Sequence, residues 1–275
     1  MQNTVNDIAS LEKKSVMYRR QILKCIKHAN KGHTAGSLSC TDILNVLYNR
    51  VMNVSPNNFS DPNRDRYIQS KGHSVEALYT VLSDVGFFPE SELYTFSKYQ
   101  SHFVGHPTRK VPGIEHNTGA LGHGLSVSVG LALAAKLDKA PFKVYTLLGD
   151  GELAEGSNWE AMMAAGHYGL DNMLAIIDYN KLQITGPVDS VLKVEPLREK
   201  IEAFGWEVQE TDGHNLAEME QLFSSIPFKA GKPNLVIAHT VKGKGVSFME
   251  NNHVWHHKVP DDNEYATALD ELRLE

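Results

Sequence analysis

Two runs of the chain, residues 143–149 (KVYTLLG) and 173–178 (MLAIID), are apolar or β-branched through their whole interior, with no alternation of polar and apolar positions. Runs of this kind fit strands buried on both faces, as happens when helices cover both sides of a parallel sheet. The segment between them, 155–167, has helical spacing, so the unit reads as strand, helix, strand with parallel strands and a right-handed crossover. Further strands are expected at 66–70 (RYIQS), 206–209 and 235–239, and helices at 5–28, 38–51, 74–85, 89–96, 197–204 and 217–225. The alternation predicts an α/β fold, a doubly wound parallel sheet with helices on both faces. No internal repeat and no Pro/Gly/Ser linker divides the chain, so 1–275 is expected to be one domain.

Composition narrows what such a sheet could serve. The formal charge is −6, from 27 Lys+Arg against 33 Asp+Glu, which argues against nucleic acid as a partner. The two cysteines, Cys25 and Cys40, form no CxxC pair and are too few for a disulfide scaffold, which favours a reducing compartment. The polar start shows no secretory signal, and the most apolar window, 125–137, is interrupted by Ser126, Ser128 and Gly130 and falls short of a membrane span. A cytoplasmic protein without a membrane partner is expected. The 13 histidines are the unusual feature, able to bind metal, to titrate near neutrality or to donate hydrogen bonds to an anion.

Two stretches stand out for irregularity. Residues 101–118 form a long loop containing His102, His106 and His116, and loops of that length are usually functional. After it, 119–137 (GALGHGLSVSVGLALAAKL) carries Gly119, Gly122, Gly124 and Gly130 in an otherwise helical pattern. Each glycine there costs about 1 kcal/mol relative to alanine, and close packing is one explanation.

Ligands of open parallel sheets bind beyond the carboxyl ends of the strands. The first buried strand ends in Gly149-Asp150-Gly151, where glycines let the backbone approach a ligand and Asp150 offers a carboxylate; the second ends in Asp178-Tyr179-Asn180-Lys181-Leu182, Asn180 falling thirty positions after Asp150. A lone Gly-Asp-Gly reads as a tight turn, and a lone asparagine as a cap. Placed after two adjacent parallel strands, they bring Asp150, the Asn180 amide oxygen and a nearby backbone carbonyl within reach of one ligand. That hard oxygen set with one formal charge suits Mg²⁺ completed by phosphate oxygens and water. Neither a GxxxxGK[ST] loop nor a GxGxxG followed by an acidic residue is present, which weakens ATPase and NAD-dehydrogenase readings.

These residues resemble the transketolases and related thiamine-diphosphate enzymes. GDGELAEGSNWEA at 149–161 resembles the cofactor loop and IIDYNKLQITG at 176–186 the turn that completes the metal site. KGHTAGSLS (31–39), QSKGHSVEALY (69–79), VGHP (104–107), NTGALGHG (117–124), TDGHN (211–215) and TVKGKGVSFMEN (240–251) follow in matching order, so the resemblance covers about residues 10–260. It implies the thiamine-diphosphate-binding fold, with thiamine diphosphate and Mg²⁺ (or Mn²⁺ or Ca²⁺) as cofactors. Asp150, Asn180 and the Leu182 carbonyl would hold the metal. Gly149, Gly151 and His73 would meet the diphosphate, and Gly119 and Leu121 would lie near the aminopyrimidine. His33 and His256 would handle the proton of the ketose hydroxyl, and His106 would bind the donor end. Glu155 and Glu160 would join a carboxylate network at a subunit interface, although without the motif they read as solvated charges on an exposed helix. His102, His116, His167 and His239 read as surface or core histidines.

The sequence departs from the family at Thr34-Ala35 in place of Pro-Gly, at His123 in place of glutamine, and at His257 in place of glycine. A full transketolase also has a pyrimidine-binding and a C-terminal domain, whereas this sequence covers the diphosphate-binding domain. The resemblance therefore implies the N-terminal subunit of a split transketolase, which acts on sugar phosphates and pairs with a C-terminal subunit in an α2β2 assembly. Related alternatives are a 1-deoxyxylulose-phosphate-synthase-like or 2-oxo acid decarboxylating subunit, and a non-catalytic cofactor-binding subunit.

Overall fold

The structure, a computed structural model, describes residues 8–273. In chain order the elements are α1 (Ile8–Ala29), α2 (Thr34–Ser39), α3 (Thr41–Val46), β1 (Arg66–Gln69), α4 (Val75–Asp84), α5 (His123–Asp138), β2 (Val144–Gly149), α6 (Gly156–Tyr168), β3 (Met173–Tyr179), α7 (Val188–Val191), α8 (Leu197–Ala203), β4 (Glu207–Asp212), α9 (Leu216–Ser224), β5 (Asn234–His239) and α10 (Asp262–Glu271). The five strands make one sheet in the order β1-β2-β3-β5-β4, every neighbouring pair parallel. The expected strand-helix-strand unit is present: β2 lies directly beside β3, with Gly149 level with Asp178.

The apolar runs are explained by two cores, one on each face of the sheet. Tyr145, Leu147, Leu174, Ile176, Val236 and Ala238 pack toward α1, α3, α4 and α9. Val144, Leu148, Met173, Ala175, Ile177, Leu235 and Ile237 pack toward α5, α6 and α8. Alternate residues of one strand thus serve opposite cores, which leaves few polar positions on either face, Thr146 being one whose hydroxyl bonds to the Ile68 carbonyl.

Several expected boundaries shift. The helix expected at 5–28 runs over Ile8–Ala29, with residues 5–7 outside the described residues. The single helix expected at 38–51 is broken at Cys40, between α2 and α3, and continues past Val46 as a π-helical turn, Leu47–Val51. The break follows from side chains competing with the backbone: Ser39 Oγ donates to the Gly36 carbonyl and to Asp178, and Thr41 Oγ1 donates to the Ser37 carbonyl. The helix expected at 89–96 is a 3-10 segment, Glu90–Thr95. The strand expected at 206–209 is Glu207–Asp212, because Trp206 turns into the core and its indole donates to the Met162 carbonyl.

Close packing accounts for Gly124 and not for Gly130. A Cβ on Gly124 would lie 2.4 Å from Ser70 Oγ and 2.6 Å from Ser70 Cα, whereas one on Gly130 would meet nothing within 4 Å. Gly124 lets the start of α5 press against the end of β1, beside the crevice. Alanine would gain about 1 kcal/mol of helix propensity and meet backbone that cannot yield, and overpacking of that kind costs about 1–3 kcal/mol or more. Gly124→Ala is therefore expected to lower stability by about 2 kcal/mol in a denaturant titration, whereas Gly130→Ala should not lower it.

Candidate active site

The carboxyl ends of β1, β2, β3 and β5 deliver Lys71, Asp150, Asn180 and Lys242 to one cavity of about 380 Å³. The same cavity is lined by His33, His73, His106, Gly119, Leu121, Gly149, Gly151, Leu182 and His256, so all the expected site residues meet there except Glu155 and Glu160. Those two are exposed, at the start of and within α6, outside the lining of the cavity.

The floor is an ionic tie that sequence reasoning did not single out. Lys71 and Asp178, both buried, form an ion pair, and Asp178 also accepts from Ser39 Oγ at 2.6 Å and from the Thr240 hydroxyl. Burial alone would raise the Asp178 carboxyl; the Lys71 ammonium and the hydroxyl donors outweigh it and hold the group below its ordinary value. Lys71 further donates to the Gly36 carbonyl at 3.1 Å. One carboxylate thereby joins the ends of β1, β3 and β5 to the turn of α2. Such a pair contributes little net stability, but losing one partner strands a buried charge. The available signal was a charged residue ending an otherwise apolar strand.

Glu152, also missed, is a second buried brace. It accepts from Ser70 Oγ at 2.5 Å, from the Gly122 backbone N–H at 2.9 Å and from the Gly149 backbone N–H at 3.0 Å. Gly122 has φ +86, in the left-handed region, and caps α5 there. The Glu152 carboxylate therefore fixes the β1 end, the glycine loop and the Gly149-Asp150-Gly151 turn relative to one another.

Above the floor lie the oxygen donors. Asp150 is buried; one oxygen accepts from the Gly151 N–H at 2.7 Å and the other from the Lys181 N–H. Burial, then the neighbouring Asp178 carboxylate, push its carboxyl up to about 6. Asn180 Oδ1 accepts from the Leu182 N–H at 3.1 Å in a turn whose middle residue, Lys181, has φ +64. The Leu182 carbonyl accepts from Lys242 Nζ at 2.9 Å.

This set fits a divalent cation with a diphosphate. All three donors are hard oxygens, the burial of Asp150 penalises its charge in a way that a cation would relieve, and the Leu182 carbonyl already meets positive charge. Gln183 Nε2 and His33 Nδ1 are buried without a hydrogen-bond partner among the described residues, and both residues line the same cavity. Gln183 lies over Gly151, where a Cβ would come within 2.7 Å of its Cγ.

The histidines surround the opposite side. His33 has ring centroids 5.3 Å from His73, 5.9 Å from His106 and 5.6 Å from His256. Burial, reinforced by neighbouring imidazoles and the Lys71 and Lys242 ammoniums, pulls His33 down to about 3 and also lowers His73 and His256; burial lowers His106. All four are neutral at pH 7, each offering one donor and one acceptor. Of the departures, Thr34 is buried and donates to the Lys258 carbonyl at 2.8 Å, His123 is exposed, and His257 is exposed and lines the cavity.

Comparison with known proteins identifies the family. The family described as "Transketolase, thiamine diphosphate binding domain" matches residues 12–273. The chain is 47% identical over 265 residues to an apulose-4-phosphate transketolase subunit of Phocaeicola vulgatus, covering 96% of this chain and 94% of that protein. It is 40% identical over 266 residues to "6-deoxy-6-sulfo-D-fructose transketolase subunit SqwG" of a Clostridium species, covering 96% and 97%. Among solved structures it superposes on transketolase from Leishmania mexicana with a TM-score of 0.90 at 28% identity, spanning 97% of this chain and 42% of that one. The sheet, the cavity and these likenesses together place the chain in the transketolase family of transferases, as a member carrying the thiamine-diphosphate-binding domain.

Proposed function

We propose that this chain is the N-terminal subunit of a two-chain transketolase, which transfers a two-carbon ketol unit from a ketose phosphate to an aldose phosphate with a separate C-terminal subunit. The observation that carries the reading is the meeting, in one cavity, of the Asp150–Asn180–Leu182 oxygen set and four neutral histidines. Mg²⁺ is the metal proposed for those oxygens. Gly149, the Gly151 N–H and His73 bind the diphosphate, and Gly119 and Leu121 face the aminopyrimidine. Thiamine diphosphate, when bound, supplies the carbon nucleophile that accepts and releases the two-carbon unit. His33 and His256 hold and move the proton of the ketose hydroxyl, and His106 orients the donor end; a neutral imidazole can take a proton and return it at pH 7.

The partner reading has support on the surface. Leu137 on α5, with Met163 and Tyr168 on α6, are exposed large hydrophobics on two helices that pack against each other. Glu155 and Glu160 are exposed in the same part of the chain, available to a carboxylate network shared between subunits. An α2β2 assembly in the cytoplasm follows from the reading, with the pyrimidine-binding domain supplied by the C-terminal subunit. The names of the relatives, apulose-4-phosphate and 6-deoxy-6-sulfo-D-fructose transketolase subunits, suggest a ketose with an anionic far end, phosphate or sulfonate.

The test is reconstitution: the chain, its C-terminal partner, Mg²⁺ and thiamine diphosphate, assayed with a panel of ketose and aldose phosphates. Transfer that needs all four components is expected. Release of carbon dioxide from a 2-oxo acid, without ketol transfer, would overturn the assignment in favour of a decarboxylating subunit.

A further inference from the structure

We propose that His33, His256 and His257 form a binding site for a nitrogen-preferring transition metal, zinc foremost, where the cavity meets solvent. One ring nitrogen from each of the three lies within 4.8 Å of the other two. The ring centroids stand 4.3 Å apart for His33 and His257, 4.7 Å for His256 and His257, and 5.6 Å for His33 and His256. Tetrahedral zinc with bonds of about 2.0–2.1 Å holds its ligand nitrogens about 3.3–3.4 Å apart. Rotation of the exposed His257 side chain brings its nitrogen toward the other two, and the His33 and His256 rings must draw together to reach that spacing.

The nitrogens are chemically ready. His33 Nδ1 is buried with no hydrogen-bond partner. Lys242 Nζ sits 3.0 Å from His256 Nδ1 and fixes that ring; for Nε2 to bind a metal its proton leaves to solvent and the lysine passes one to Nδ1, so the ring stays neutral and the lysine becomes an amine. The Lys242 ammonium opposes a dication, and the Asp150 and Asp178 carboxylates, which act on the same lysine, offset it.

Ligand type separates this site from the oxygen set on the other side of the cavity. Carboxylate and carbonyl oxygens suit Mg²⁺, whereas imidazoles suit zinc, cobalt, nickel and copper. Three histidines leave the fourth tetrahedral position open to water. Zinc held here occupies His33 and His256, so it excludes the ketose; that consequence, unlike the site itself, rests on the transketolase reading.

Cobalt(II) is the probe. Untagged full chain, free of chelator, is titrated with Co²⁺, and the visible band of tetrahedral cobalt is expected to saturate at one ion per chain and to bleach when Zn²⁺ is added. His257→Ala should weaken cobalt binding by more than about tenfold, with the metal-free melting temperature unchanged, and His257→Gln serves should the alanine variant melt early. Asp150→Asn should keep the band. Absence of the band, or a band of equal affinity in the His257 variants, overturns the site. Cobalt binding in a chain that shows no ketol transfer with its partner leaves the metal site standing and removes the transketolase reading; transfer without cobalt binding does the reverse.

Discussion

Asp150→Asn is expected to abolish magnesium-dependent uptake of thiamine diphosphate and, with it, ketol transfer. The substitution keeps the size of the side chain and removes its charge. One of its two terminal atoms becomes an NH₂ group facing either the Gly151 or the Lys181 backbone N–H, so a donor confronts a donor. The metal loses the only formal negative charge among Asp150, Asn180 and Leu182. Removing groups that merely orient metal ligands already costs about 10–100-fold, and removing the charged ligand should exceed that, giving at least about a hundredfold loss of affinity. Calorimetry with Mg²⁺, the cofactor and the C-terminal partner reads the effect directly. The metal-free chain should not be destabilised to match, since burial already disfavours the ionised carboxyl. Unchanged uptake in the variant would remove Asp150 from the metal site.

The second large effect concerns stability. Glu76 on α4 is fully buried; its oxygens accept from the His33 backbone N–H at 2.9 Å and from Ser37 Oγ at 2.8 Å. Burial pushes its carboxyl up from 4.5 to about 7, against the lowering effect of those hydrogen bonds. The folded chain therefore holds this proton to higher pH than the unfolded one. The contribution to stability is whole below the unfolded value and is lost as pH rises through about 7. At about 1.4 kcal/mol per pKa unit, the loss reaches about 3 kcal/mol once the group is fully ionised. Nearby Cys25 and Tyr79 are themselves pushed up by burial and stay neutral over this range. Glu76→Gln can accept from His33 and donate to Ser37 Oγ at every pH. It should match the parent chain near pH 4 and exceed it by up to about 3 kcal/mol near pH 8 in denaturant titrations. Parallel pH profiles for the two chains would show that the carboxyl carries no such proton.

Much of this was legible from the sequence because it rests on local pattern. The two apolar strands, the turns that end them and the order of the histidine motifs are all short-range features, and the structure brings every expected site residue except Glu155 and Glu160 to one cavity. Those two are exposed at the start of and within α6, outside the lining of the cavity. Lys71, Glu76, Glu152 and Asp178 escaped for a different reason. Each is a buried charge whose partners lie far along the chain, as with Ser39 and Asp178 or Ser70 and Glu152, and only folding brings them together. The break at Cys40 has the same origin, since Ser39, the last residue of α2, donates to Asp178 on a distant strand.

The apolar residues on α5 and α6 bear on how such a chain must be made. Leu137 is 73% exposed, Met163 57% and Tyr168 48%. A copy produced in excess of the proposed companion would present sticky surface to every neighbour, inviting aggregation or capture by quality-control machinery. For the two-chain enzyme proposed above, balanced synthesis of both polypeptides is as much a requirement of this surface as catalysis is of the crevice.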